Sequence, residues 1–110
     1  MYVRIARFEG VDPDRIDPIL DGIRGSLENA RSGEVPAEAP DEVRVLVETV
    51  ARYVQLVDRD TGRLLGLTFC RTEDDLRRAD EVLNAMSPDE GGGARTGVEL
   101  WEVAIDESFG

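Results

Sequence analysis

Hydrophobic spacing along the chain switches repeatedly between the helical and the strand period, and the switches mark the elements. Residues 2–8 are aromatic and β-branched around two arginines, which predicts a first strand ending at Glu9-Gly10. Asp12-Pro13 then predicts a helix start, with Asp12 as the cap, Pro13 at the first helical position and Asp14 favourable to the dipole. Ile16, Ile19, Leu20, Ile23 and Leu27 recur at helical spacing, so one stripe of that helix faces a core. Residues 29–40 are small, polar and proline-containing and read as a loop. Val43, Leu46, Val47 and Val50 return to helical spacing and favour a short helix over 43–50, although the β-branched run 43–47 also fits a strand.

A strand over 52–58, a turn at Arg59-Asp60-Thr61-Gly62 and a strand over 63–70 predict a hairpin. Thr72-Glu73-Asp74-Asp75 has the pattern of a capping box. It opens a helix whose stripe is Leu76, Ala79, Val82, Leu83 and Met86, stopped by Ser87-Pro88. A loop containing Gly91-Gly92-Gly93 leads to a last strand over 97–105, followed by 106–110 as a tail. The order is that of a split βαβ, or ferredoxin-like βαββαβ, unit with an extra short helix before the second strand. This is an α+β fold: one four-stranded antiparallel sheet with its helices on one face. At 110 residues the chain is expected to form a single domain, 1–110.

A sheet with one wet face should alternate apolar and polar residues cleanly, and these strands do not. Leu65, Leu67 and Phe69 share one face while Leu64, Gly66, Thr68 and Cys70 share the other; the remaining strands are similarly greasy on both sides. A second apolar face exceeds what a soluble monomer normally exposes. A second copy is the simplest cover, since a two-fold contact needs one self-complementary patch, so a homodimer is expected. Two sheets face to face would close an α/β barrel. Arg4, Tyr53, Gln55, Thr68 and Cys70 are then expected to point into the enclosed space, where a few polar groups among apolar walls make a small-ligand pocket.

Composition narrows the chemistry. The chain has 24 acidic residues, 13 basic residues that are all arginine, no lysine and no histidine, for a net charge of −11. Such a surface disfavours nucleic acid and anionic membranes as partners. Without histidine there is no Ser-His-Asp or Cys-His apparatus and no imidazole-held metal or haem; without lysine there is no Schiff base and no phosphate-loop lysine. No cofactor and no metal is expected. One cysteine and no leader or apolar span of about 20 residues fit a cytoplasmic location.

The pattern resembles the dimeric α/β-barrel superfamily, which includes antibiotic-biosynthesis-monooxygenase-like and stress-responsive barrel proteins. The likeness is carried from Tyr53 to Pro88: the hairpin around Val57-Asp58-Arg59-Asp60-Thr61-Gly62, Leu65-Gly66-Leu67, Thr72-Glu73-Asp74-Asp75-Leu76 and Leu83-Asn84-Ala85-Met86-Ser87-Pro88. It is similar to small bacterial members of that group whose activity is not assigned. The resemblance implies chemistry ranging from cofactor-free oxygenation of aromatic substrates to haem breakdown. The haem-degrading branch uses a histidine ligand and a tryptophan on its second helix; this chain lacks the first and places Trp101 on a strand, so no catalytic residue carries over.

The candidate ligand-binding residues are therefore Arg4, Tyr53, Gln55, Thr68 and Trp101, the first three as donors to a ligand oxygen and Trp101 as a stacking surface. Each has a structural reading beside it: Arg4 paired with a carboxylate across the dimer interface, Tyr53 as packing, and Trp101 as core or interface packing. Cys70 reads as a small buried hydrophobe, and Asn84 as a group that satisfies backbone near a helix end. Asp58, Asp60 and Gly62 lack the remaining positions of a calcium loop. The acidic helix starts at Asp12-Asp14-Asp17 and Glu73-Asp74-Asp75 read as dipole partners. Three function classes follow: a dimeric protein binding a small ligand, aromatic ones included; a cofactor-free monooxygenase-like enzyme; or a regulatory module without chemistry.

Overall fold

The computed structural model describes residues 1–31, 41–85 and 94–110. Its elements run β1 (Tyr2–Glu9), a 3-10 turn (Pro13–Arg15), α1 (Ile16–Arg31), α2 (Asp41–Thr49), β2 (Val50–Asp58), β3 (Arg63–Cys70), α3 (Glu73–Ala85) and β4 (Ala94–Glu102). The strands form one antiparallel sheet in the order β2-β3-β1-β4, so the two hairpin strands lie on one side of β1 and the last strand on the other. The glycine-rich loop expected at 91–93 and the Ser87-Pro88 stop lie outside the described residues.

Capping behaves as the residue types dictate. Asp12 accepts a hydrogen bond from the Asp14 N–H at 3.0 Å, and Thr72 Oγ1 accepts one from the Asp75 N–H at 3.1 Å, each satisfying a donor that the helix leaves free. α1 continues through Asn29, which was expected in the loop; its exposed polar end carries no apolar period to reveal it. Segment 41–49 is helical, but Val50 is the first residue of β2 and not the last of the helix. The Thr49 hydroxyl bonds back to Val45 O at 2.7 Å, and Val50 pairs with Cys70. β4 is offset from expectation by three residues at each end. Its length is set by its neighbour: Ala94 pairs with Glu9 and Glu102 with Tyr2, and beyond the single Val103 N–H to Met1 O bond at 2.9 Å no ladder remains for 103–105.

The β2–β3 turn is tied to the start of the α1 segment. Asp58 Oδ1 accepts from the backbone of Asp60 and Thr61, and Gly62 N–H donates to Asp58 O. Hydrogen bonds from the Thr61 and Arg63 side chains also hold the Asp58 carboxyl below its usual range. Gly62 sits at φ +72, and its carbonyl accepts from Val11 N–H at 3.1 Å. A Cβ at Gly62 would lie 2.2 Å from the Val11 carbonyl oxygen, so close approach and positive φ both demand glycine here.

Two buried clusters sit between the sheet and its helices. Ile16 and Val11 join Leu64, with Ile19, Leu20, Phe8 and Val57 packed around them. At the other end of the sheet Leu76 and Ala79 join Cys70, with Tyr2 and Leu46 packed against them, so α2 leans on α3 there. Both clusters use the same sheet face: Tyr2, Phe8, Val57, Leu64 and Cys70 are on one side of the ladder register. The opposite face carries Val3, Ile5, Val54, Leu56, Leu65, Leu67, Phe69 and Trp101, with Arg7, Arg52 and Glu99 among them. No described element covers it. Leu56 and Trp101 are 45% and 56% exposed, and Val3, flanked by Phe69 and Trp101 across the ladder, is buried.

Candidate functional site

The register assembles a polar row across the helix-covered face. Arg4 on β1 pairs with Thr68 on β3, and Thr68 pairs with Tyr53 on β2. One step along, Ala6, Gly66 and Gln55 form the next row. Arg4, Tyr53, Gln55 and Thr68 are thus neighbours on a single face, but it is the face under the helices and not the open one. This corrects the expectation that they, with Cys70, point into a space between two sheets. Trp101 is separated from them: it pairs with Val3 and lies on the open face.

Arg4 is 3% exposed, and a buried guanidinium requires a partner. Its Nε donates to Asp80 Oδ1 at 2.9 Å and its Nη2 to Asn84 Oδ1 at 2.8 Å; Asn84 Nδ2 in turn donates to Asp80 Oδ1 at 3.1 Å. Asp80 and Asn84 are one turn apart on α3, so the network bolts that helix to the sheet. The Asn84 side chain serves Arg4, whereas backbone satisfaction near the helix end was expected. The end of α3 is served instead by Arg95, whose guanidinium donates to Leu83 O and Asn84 O. Asp80 and Arg95 escaped the sequence reading. A signal for Asp80 was present: Leu76, Asp80 and Asn84 form an i, i+4 line beside the apolar stripe, opposite a strand whose greasy run contains one inward arginine.

Tyr53 and Gln55 form the other half of the row. Tyr53 Oη donates to Gln55 Oε1 at 2.6 Å, and Gln55 Nε2 donates to Leu65 O at 3.1 Å. The Tyr53 hydroxyl lies over Gly66, where a Cβ would come within 2.8 Å of it. Gly66 is therefore the gap in the sheet surface that seats the phenol. Burial raises the Tyr53 pKa above its ordinary 10.0, and the nearby positive charge of Arg4 only partly offsets this. The neutral phenol is favoured in the fold, so its contribution to stability is intact below pH 10 and is lost as pH rises through the raised value. In a Tyr2→Phe background, phenolate absorbance is expected to titrate with a midpoint above 10.0 in the folded protein; a midpoint at or below that value would contradict the buried placement.

Cys70 is fully buried, and burial first, then the Asp75 carboxylate, raise its pKa, leaving the unreactive thiol that its surroundings in sequence suggested. Among the described residues no group of His, Cys, Asp or Glu is arranged to hold a metal ion. No described helix is long and apolar enough to cross a membrane.

The sheet order, the helices confined to one face and the βαββαβ succession with an added α2 define an α+β chain of the ferredoxin-like class. The solved structure of Rv0793 from Mycobacterium tuberculosis is similar to it, with a TM-score of 0.51 over 97% of this chain and 98% of that one. Identity is 16%, so the likeness is one of fold. No protein-family model matches the chain, and neither does any curated protein.

Proposed function

We propose that the chain acts as a homodimeric α/β-barrel protein that binds a small, oxygen-bearing ligand at the Arg4–Tyr53 row, with the open sheet face as its dimer contact. The observation that carries the ligand reading is the state of Arg4. Two of its nitrogens are clamped by Asp80 and Asn84 in a side chain only 4% exposed, so the guanidinium is fixed in place on the sheet. A held, desolvated guanidinium beside a neutral phenol suits a carbonyl, carboxylate or phenolic oxygen, because the donors are oriented before the ligand arrives. On this reading the ligand contacts the helix-covered face of one sheet and not a space between two sheets. Trp101 becomes an interface residue, in keeping with the enrichment of tryptophan at such contacts. The same donors would steady a substrate enolate in the cofactor-free oxygenase alternative.

A thermal-shift screen of the purified protein against small aromatic and acidic compounds tests the ligand half. A saturable rise in melting temperature is expected, weakened at least about tenfold in apparent affinity by Tyr53→Phe or Thr68→Val. A panel with no stabilising compound, or hits indifferent to both substitutions, sinks it. Oxygen uptake with the hits separates chemistry from binding alone. Sedimentation tests the dimer half: a particle of twice 12.1 kDa is expected, and a persistent 12.1 kDa species refutes it.

A further inference from the structure

We propose that residues 103–110 of one copy dock on the open sheet face of a second copy, with Arg52 of the partner subunit as their polar anchor. The inference rests on the homodimer reading above. Ile105 and Phe109, 83% and 97% exposed, are the most exposed large apolar side chains among the described residues. No described residue covers them, and Asp106 and Glu107 lie between them.

The open face supplies what that segment lacks. Arg52 stacks over the Phe69 ring at 5.5 Å and has no carboxylate partner among the described residues. In a chain of net charge −11, an unneutralised arginine on an apolar face is where an acidic segment gains most. Geometry brings the two together. β4 and β2 are the two edges of the sheet, and Glu102, Tyr2, Cys70 and Val50 mark one common end. A two-fold axis running along the strands between β3 and β1 lays β4 of one copy over β2 of the other, like ends together. Residues 103–110 leave β4 at the end where the partner's Arg52 and the partner's Phe69 sit.

Size points the same way: a stable interface takes about 800 Å² of accessible surface from each partner, and an eight-residue segment with two large apolar side chains adds to what the sheet face alone supplies.

Sedimentation velocity across a concentration series reads the result, with circular dichroism confirming the fold of each variant. Compared are the full chain, a chain ending at Ala104 (which keeps the Val103–Met1 hydrogen bond), Arg52→Glu, and Arg52→Glu combined with Asp106→Arg and Glu107→Arg. Truncation and Arg52→Glu are each expected to raise the dimer dissociation constant about 30-fold, and the charge-swapped chain to return to within about threefold of the full chain. A truncated chain that dimerises as tightly as the full one overturns the docking while leaving the homodimer intact. A charge swap without recovery removes Arg52 as the anchor. A full chain that is monomeric throughout ends the homodimer reading itself.

Discussion

Gly62→Ala is expected to destabilise the protein by about 3 kcal/mol, lowering the melting midpoint by roughly 12 °C or more. Three effects add. Alanine at φ +72 costs about 1–2 kcal/mol by itself. Its Cβ would meet the Val11 carbonyl oxygen at 2.2 Å, and that atom is backbone, so it moves only if the chain moves. Shifting it breaks the Val11 N–H to Gly62 O bond and loosens Val11 from the Ile16–Leu64 cluster. Gly10→Ala is the built-in control, since Gly10 also has a positive φ, +75, but nothing within 4 Å of a Cβ. Only the conformational cost, about 1 kcal/mol, is expected there. Chemical denaturation of both variants checks the prediction, and equal losses would show that the close approach at Gly62 does not matter.

Asp80→Ala is expected to cost about 3 kcal/mol, because it leaves the buried Arg4 guanidinium with a single neutral partner, Asn84. The figure is taken at the lower end for a broken buried pair, since the Asp80 side chain is 22% exposed and its charge is partly screened. Removing both charges should be gentler than removing one. The double substitution Arg4→Met with Asp80→Leu is expected to be at least about 1 kcal/mol more stable than Asp80→Ala. Equilibrium unfolding of the two variants decides it. If the double variant is the weaker, the ion pair contributes net stability, and its place beneath α3 is structural rather than a cost kept for ligand contact.

Much of the fold was legible because local chemistry and tertiary structure agree. Asp12 and Thr72 announce helix starts since their short side chains reach the free N–H groups two or three residues on. The 63–70 strand matches its expected bounds because a glycine turn limits one end and a helix cap follows the other. The ends of β4 were not legible, since an edge strand stops where its neighbour stops, and the chain around Ala94 and Val103 says nothing local about Glu9 or Met1. Val50 shows the same limit: its side chain fits the stripe of α2, but the ladder to Cys70 claims its backbone.

The candidate site divides along the same line. That Arg4, Tyr53, Gln55 and Thr68 share a face was readable from the two-residue period once the strands were paired. Which face the helices cover was not. Alternation assigns residues to two sides but does not say which is up when both are apolar, so Trp101 was grouped with side chains that lie across the sheet from it.

By itself the sequence determined the order of elements, the caps, the Gly62 turn and the two-sided greasiness of the strands, because each depends on residues within a few positions of one another or on a fixed strand period. Only the tertiary structure decided that α3 lies over Arg4, that Asp80 and Asn84 answer its charge, and that the Leu56–Trp101 face is the one left open. Those outcomes depend on contacts between residues as far as 80 positions apart, where the packing of whole helices on the sheet, and no local preference, selects the side.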